Sequence, residues 1–360
     1  MNKHFSLYLD LVRFLAAVLV VISHFSYFSV ASTTAQLFLP HFGREAVVIF
    51  FVLSGFVIAY TCNEKRLSLR QYAVARCARL YSVVLPILLV TILLALLATT
   101  LFNTPIEASY QLNKLHLYIP LHLLFAGQLW SLSETPPWLV PYWSLSYEAW
   151  YYVLFGVLFY GRGKARVALA TVVLLIMGPK LWLLLPVWLS GVMLYRYRDR
   201  LQLGPAPARL GWLLTLLALA LYKAFSCEVY LRALGTSIWP FPGFALGSAD
   251  RYLSDYVVGA IVCLHFIFAR QALFAGLEPW RAPVRSVAAY TFTLYLIHTP
   301  VIGLWLAFYP HDPGRWTDIA ALSVCIGLCC FLFGFVTERR KAAFQASFNR
   351  RFRVSSKSSP

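Results

Sequence analysis

The sequence predicts an all-α polytopic membrane protein with about ten transmembrane helices and both termini on the cytoplasmic side. Of 360 residues, 60% are hydrophobic and 12% are charged, about half the charged content of a soluble domain. Apolar runs long enough to cross a bilayer recur along the chain. The 31 Lys and Arg outnumber the 14 Asp and Glu, and 23 of the 31 fall in alternate connecting segments, where cytoplasmic loops concentrate them. Once topology has placed the positives, no basic motif is left for nucleic acid, and the partner that composition calls for is the lipid bilayer. The seven cysteines have neither metal nor disulfide spacing; Cys325, Cys329 and Cys330 are expected to pack within a helix, and no metal or cofactor is inferred from them.

The first span, residues 7–30, carries Asp10, Arg13 and His24 in an otherwise apolar run. Those charges would interrupt the apolar region of a signal peptide, so the segment is expected to remain as a span. Asp10 and Arg13 lie one turn apart, and His24 returns to within about 20° of Arg13, roughly 16 Å further along the axis. A charge in a membrane helix costs about 2.5–3.5 kcal/mol on insertion scales, so such residues usually face a protein interior or a wet cavity and serve a function. The plainer account is an interfacial Asp10–Arg13 pair and a packed histidine.

Residues 46–62 form a second span, a hairpin with the first. Residues 63–79 hold Lys65, Arg66, Arg70, Arg76 and Arg79 and are expected to form a cytoplasmic loop. Residues 80–102 run outward. The stretch 115–132, interrupted by His116, Pro120, His122 and Gln128, is expected to be re-entrant or interfacial on the outer side. Residues 142–160 return as the fourth span. Residues 167–195 are one long span or two short ones broken at Gly178-Pro179-Lys180, and the positive-inside rule favours two. Residues 210–225, 255–269, 286–308 and 317–336 complete the set, with 226–254 as an outer loop. Residues 1–338 thus form the transmembrane domain and 339–360 a basic cytoplasmic tail, disordered at its end from 354.

Two groups of residues suggest chemistry. In this topology Glu148 lies six residues below the outer end of its span, as His24 does, so the two share a depth. A histidine that titrates near neutrality beside a carboxylate is a general-base pair in kind. Arg76 and Arg79, three residues apart on one helix face, could clamp a phosphate-bearing ligand at the inner rim, although arginines there are also ordinary topology signals. Trp143 and Tyr147 could stack on sugar rings or belong to an interfacial aromatic belt. His298 lies mid-span, where a lone histidine is more often a packing residue, and Ser54 reads as a small residue for helix approach.

Five motifs then appear in order: Leu9-Asp10-Leu11-Val12-Arg13 followed by His24, Phe50-Phe51-Val52-Leu53-Ser54-Gly55-Phe56, Arg76-Cys77-Ala78-Arg79-Leu80-Tyr81, Trp143-Ser144-Leu145-Ser146-Tyr147-Glu148, and Leu294-Tyr295-Leu296-Ile297-His298-Thr299-Pro300. Together they resemble the integral-membrane acyltransferase family 3, which includes bacterial O-acyltransferases of surface glycans. The resemblance covers about the whole chain. It implies ten core helices, a cytoplasmic acyl-coenzyme A donor, an essential His24, and donor-side roles for Asp10, Arg13, Arg76 and Arg79. Two positions depart from the family pattern: Pro86 comes late after the Arg-Leu-Tyr segment, and Ala149 follows Glu148 where a second acidic residue is common.

The resulting expectation is a membrane O-acyltransferase of the bacterial inner membrane. It would move an acyl group, in the first instance acetyl from acetyl-CoA, to a hydroxyl of a glycan or glycolipid such as a cell-envelope polysaccharide or lipopolysaccharide. His24, Glu148, Asp10 and Arg13 are the catalytic candidates, Arg76 and Arg79 hold the donor, and Trp143, Tyr147 and His298 contact the acceptor. His24 acts either as general base or as acyl acceptor. The rival is a proton-coupled transporter or flippase using the same intramembrane residues.

Overall fold

A computed structural model of the chain describes residues 2–102, 114–272, 274–338 and 341–351. Among the described residues all regular structure is helical. Helix α1, Lys3–Tyr27, is capped by the Asn2 side chain, which accepts from the His4 amide, the standard way to satisfy a first-turn donor. A short turn of helix, α2 (Thr33–Gln36), leads to α3, Gly43–Glu64. Helix α3 occupies the centre, packed against α1 and against two later helices, α8 (Pro179–Tyr197) and α11 (Tyr252–Gln271).

The crossing of α3 with α8 is a backbone-to-backbone contact. A Cβ on Gly55 would lie 2.1 Å from the Trp188 carbonyl oxygen, and one on Gly191 would lie 1.9 Å from that of Val52. Small residues that admit such approach replace the hydrophobic driving force that membrane helices lack among themselves. The approach function thus belongs to Gly55, and the neighbouring Ser54 does something else.

Helix α4, Leu69–Phe102, begins ten residues before Arg79, so most of the expected 63–79 loop is helix. Basic residues mark where a chain leaves the bilayer but do not stop a helix from continuing past it. Residues 103–113 lie outside the described set. Helix α5, Leu115–Leu123, has nine residues, about 14 Å, too short to cross. Its segment is tied into the bundle: Tyr142 donates to the His122 carbonyl at 2.6 Å, Trp130 Nε1 to the Leu175 carbonyl at 2.9 Å, and the buried Lys180 ammonium to the Leu132 carbonyl and to Ser133 Oγ. Helix α6, Tyr142–Tyr160, follows.

The break expected at Gly178 is present. Gly178 takes φ +76°, a value strained for any side chain, and Pro179 opens α8 at its first position, where its missing N–H costs nothing. Helix α7, Gly163–Met177, and α8 therefore meet at a 119° bend. After α9, Pro205–Ala224, the expected 226–254 loop contains α10, Cys227–Ile238. This helix exposes Val229, Tyr230, Leu234 and Ile238 on one side, the pattern of a helix lying in an interface. The expected span 286–308 divides into α12, Arg281–Ala288, and α13, Thr291–Phe308. Helix α14, Trp316–Val336, packs on α13, and residues 341–351 of the basic tail form α15, Lys341–Arg351, against α4. The expected disorder from 354 falls outside the described residues.

Among the described residues seven helices are individually long and apolar enough to cross a membrane, and α7 with α8 pass that test only together. The chain is a polytopic all-α membrane protein.

Two measurements check this arrangement. Gly55→Ala and Gly191→Ala should each lower the unfolding temperature in detergent through about 1–3 kcal/mol of overpacking. Gly327→Ala, where no atom lies within 4 Å of the added methyl, should leave it unchanged. In a cysteine-free background, single cysteines at 309–315 should react with an impermeant thiol reagent in whole cells, while those at 65–70 and 196–200 should react only after lysis. The reverse pattern would discard the predicted orientation.

Candidate active site

With the α1 amino terminus set at the bottom, two cavities meet along the bundle. The lower is narrow, about 50 Å³, and is lined by Arg13, Phe50, Arg79, Ser144, Glu148 and Thr291 among others. The upper, about 540 Å³, is lined by His24, Tyr27, Arg44, Trp143, Lys223 and Asp250 among others. Val47 and Tyr295 line both.

His24 Nδ1 lies 2.8 Å from the Val20 carbonyl oxygen. A carbonyl only accepts, so Nδ1 carries the proton and Nε2 keeps its lone pair. His298 repeats the arrangement: Nδ1 donates to the Leu294 carbonyl at 2.9 Å, and its Nε2 lies 3.3 Å from His24 Nδ1. The His298 ring has no exposed surface. Expected to contact acceptor, it instead backs His24. Tyr147 is equally buried, its hydroxyl 3.0 Å from Ser248 Oγ. Of the two aromatics expected to meet a sugar, Trp143 alone lines the upper cavity, with the Arg44 guanidinium 4.9 Å above its ring.

Glu148 does not share the depth of His24. Ser144 Oγ meets the Tyr295 hydroxyl at 2.7 Å, which sets the start of α6 level with Tyr295, only one turn above the foot of α13. Glu148 is one turn lower again, so about 10 Å of helical rise separates it from His24. Its carboxylate accepts from Ser54 Oγ at 2.5 Å and from the Tyr152 hydroxyl, and Arg79 approaches at 3.9 Å. Trp188 Nε1 donates to Ser54 Oγ at 3.2 Å. Ser54 is thus a hydrogen-bond hub.

Arg13 pairs with Asp10 at 3.8 Å. That contact and the one from Arg79 to Glu148 are too long for hydrogen bonds. Among the described residues neither guanidinium has a hydrogen-bond acceptor in range. Two cations with free donors in one cavity form a place for a polar or anionic ligand. Arg76, expected to clamp beside Arg79, is separated from it by Tyr152. It lies 5.5 Å over that ring and faces a different groove.

Several residues of the site went unnoticed in the sequence. Arg44 donates from Nε to Asp255 at 2.9 Å and from Nη2 to both Asp255 and the Ser248 carbonyl. Lys223 bridges Glu45 at 3.2 Å and Glu228 at 2.8 Å. These charges line or adjoin the upper cavity and are paired. Their signal was a charge at the edge of each of two apolar runs, which calls for a partner on another helix. Glu338, just past α14, accepts the Phe292 amide at 3.1 Å. Burial lifts its carboxyl to about 7, against the pull of that hydrogen bond and of Arg13, so the charge beside Arg13 changes near neutrality. Among the described residues no group of three His, Cys, Asp or Glu could hold a metal ion.

No curated protein and no solved structure matches the chain. A family profile described as an acyltransferase domain matches residues 6–335. The match takes in both cavities and all five motifs, and ends just before Glu338. A ligand space running from two arginines to a histidine with a free ring nitrogen fits the chemistry that this family performs. The chain is a multi-pass membrane acyltransferase and belongs to acyltransferase family 3.

Proposed function

We propose that the enzyme moves an acyl group, in the simplest case acetyl, from acyl-coenzyme A on the cytoplasmic side to a hydroxyl of a glycan or glycolipid on the outer side of a bacterial cytoplasmic membrane. The observation that carries this reading is the wall shared by the two cavities: Val47 and Tyr295 face the arginines on one side and His24 on the other. A donor held at Arg13 and Arg79 from below would present its thioester to an acceptor held at His24 from above. The lower passage is narrow as it stands, so the donor arm enters as the side chains around Tyr295 part.

In the transfer step, the acceptor hydroxyl gives its proton to His24 Nε2 as its oxygen attacks the thioester carbonyl. The C–S bond breaks, the acyl group passes to oxygen, and the departing thiolate recovers the proton from His24. Protonation at Nε2 makes the imidazole a cation whose Nδ1–H still faces two acceptors, the Val20 carbonyl and His298 Nε2. A base whose charged form is already solvated by fixed dipoles reorganises little as charge develops. His298 is thus a positioning residue. The paired charges around the upper cavity leave no excess cation, which suits a neutral polyhydroxylated acceptor, and Trp143 gives that cavity an aromatic wall. Asp10, one turn below Arg13, holds that guanidinium toward the donor. Membership of an acyltransferase family does not favour the transporter reading of these residues.

His24→Gln keeps a polar side chain but removes the base. O-acyl groups released by mild alkali from the glycans of expressing cells should fall about 10²–10⁴-fold, with expression and coenzyme A binding retained. A folded variant acylating near the wild-type rate would refute the mechanism. An acyl group found on His24 by mass spectrometry of enzyme mixed with donor alone would replace direct transfer with a covalent route.

Arg79→Ala should weaken coenzyme A binding about tenfold or more, the loss of a charge-assisted contact of about 1.5–3 kcal/mol. Titration of the folded variant by calorimetry is the measurement. Unchanged affinity would place the donor elsewhere.

A further inference from the structure

Arg76 lies outside the lower cavity. Among the described residues no hydrogen bond or ion pair reaches its guanidinium, its Nε is buried without an acceptor, and its nearest interaction is the Tyr152 ring. It faces a groove of about 570 Å³ between α4 and α6, walled by apolar side chains such as Leu80, Phe125, Val153, Val157 and Leu169. Arg76 is the single charged residue in that lining among the described residues. A guanidinium turned toward hydrocarbon is costly unless an anion accompanies it, and among the described residues no carboxylate pairs with it.

The geometry points to a bound anionic phospholipid of the cytoplasmic leaflet, its phosphate on Arg76 and one acyl chain rising along the groove toward Phe125. Three features favour this occupant. The groove begins at Leu69, Tyr160 and Gly161, the lower ends of α4 and α6. That mouth is flanked in sequence by the exposed residues Arg66, Arg70, Arg162 and Lys164, which attract anionic headgroups. Arg76 lies two turns above Leu69, and a helical side chain leans toward the helix amino terminus, so its guanidinium reaches down to the headgroup level. The chain above it finds Val153, which is 47% exposed on the open side of the groove. This site is separate from the donor passage, because Tyr152 stands between Arg76 and Arg79, its hydroxyl on Glu148.

The test is native mass spectrometry of the purified, delipidated protein given equal amounts of phosphatidylglycerol and phosphatidylcholine. The wild type should retain one phosphatidylglycerol with about tenfold preference. Arg76→Gln should lose the preference while still admitting either lipid. Val153→Trp, which fills the groove from its open side, should lose retention of both with Arg76 intact, and it decides the matter if Arg76→Gln does not fold. Equal retention of the two lipids by the wild type, or an undiminished preference in Arg76→Gln, overturns the site. Displacement of phosphatidylglycerol by coenzyme A alone also overturns it, since Arg76 would then serve the donor. Lipid retention does not depend on acyl transfer, so this result and the fate of the proposed reaction are independent.

Discussion

The central position of α3 depends on glycine. At Gly55 and Gly191 the backbones of α3 and α8 touch, and at the other end of α3 a Cβ on Gly43 would lie 2.0 Å from Ser23 Oγ on α1. With both neighbours this close, α3 presents Ser54 to Glu148 and sets its upper end beside His24. A membrane bundle gains little from hiding apolar surface from lipid, so what fixes its geometry is close packing and internal hydrogen bonding. The contact from Trp188 through Ser54 to Glu148 is available only because Gly55 lets Trp188 approach. The carboxylate in the lower cavity is therefore positioned by a packing contact one residue away from its hydrogen-bond partner.

The intramembrane charges fall into two kinds that serve different ends. Around the upper cavity each is matched, as Arg44 is by Asp255 and the Ser248 carbonyl. Removing one partner of such a pair strands the other, a destabilisation of about 3–5 kcal/mol, so these groups hold α3 to α11. In the lower cavity Arg13 and Arg79 keep carboxylates at 3.8 and 3.9 Å, close enough to offset charge but too far to occupy the N–H donors. A guanidinium kept charged yet free to donate is suited to a transient ligand, because binding then needs no existing hydrogen bond to break. Hydrogen-bond satisfaction separates the charges of the upper cavity from those of the lower more sharply than burial does.

The sequence reveals most where the answer lies on one helix. Asp10, Arg13 and His24 share a stripe that the 3.6-residue period makes readable, and Arg13 and His24 line the two cavities in the order the stripe implies, Arg13 below and His24 above. The break at Gly178-Pro179 is likewise local. The depth of Glu148 is not, because it depends on where α6 begins, and that is set by the 114–141 segment folding into the bundle through Tyr142, Trp130 and Lys180. Hydropathy measures the apolar length of a segment but not how far it sits below the surface. The arginine pair fails for a similar reason: three residues of spacing put Arg76 and Arg79 on neighbouring faces, and Tyr152 from another helix divides them. Helix α10 escapes notice because its polar side, with Glu228 and Arg232 toward the upper cavity, makes its composition that of a loop.

The two histidines show how the uncharged base proposed here is held inside a bundle. Each spends its Nδ1 proton on the carbonyl four residues earlier in its own helix, an acceptor that the helix places there whatever surrounds it. The tautomer is therefore set by secondary structure, with no carboxylate needed to hold the ring. In a dry site that choice matters, since a carboxylate partner would bring a second buried charge with its own desolvation cost. Turning both Nδ1 atoms inward leaves His298 Nε2 facing His24 as a neutral acceptor. His24 Nε2 is then the one ring nitrogen of the pair left free for a substrate proton. Glu148 can accordingly stay about two turns below, where Arg79 offsets its charge.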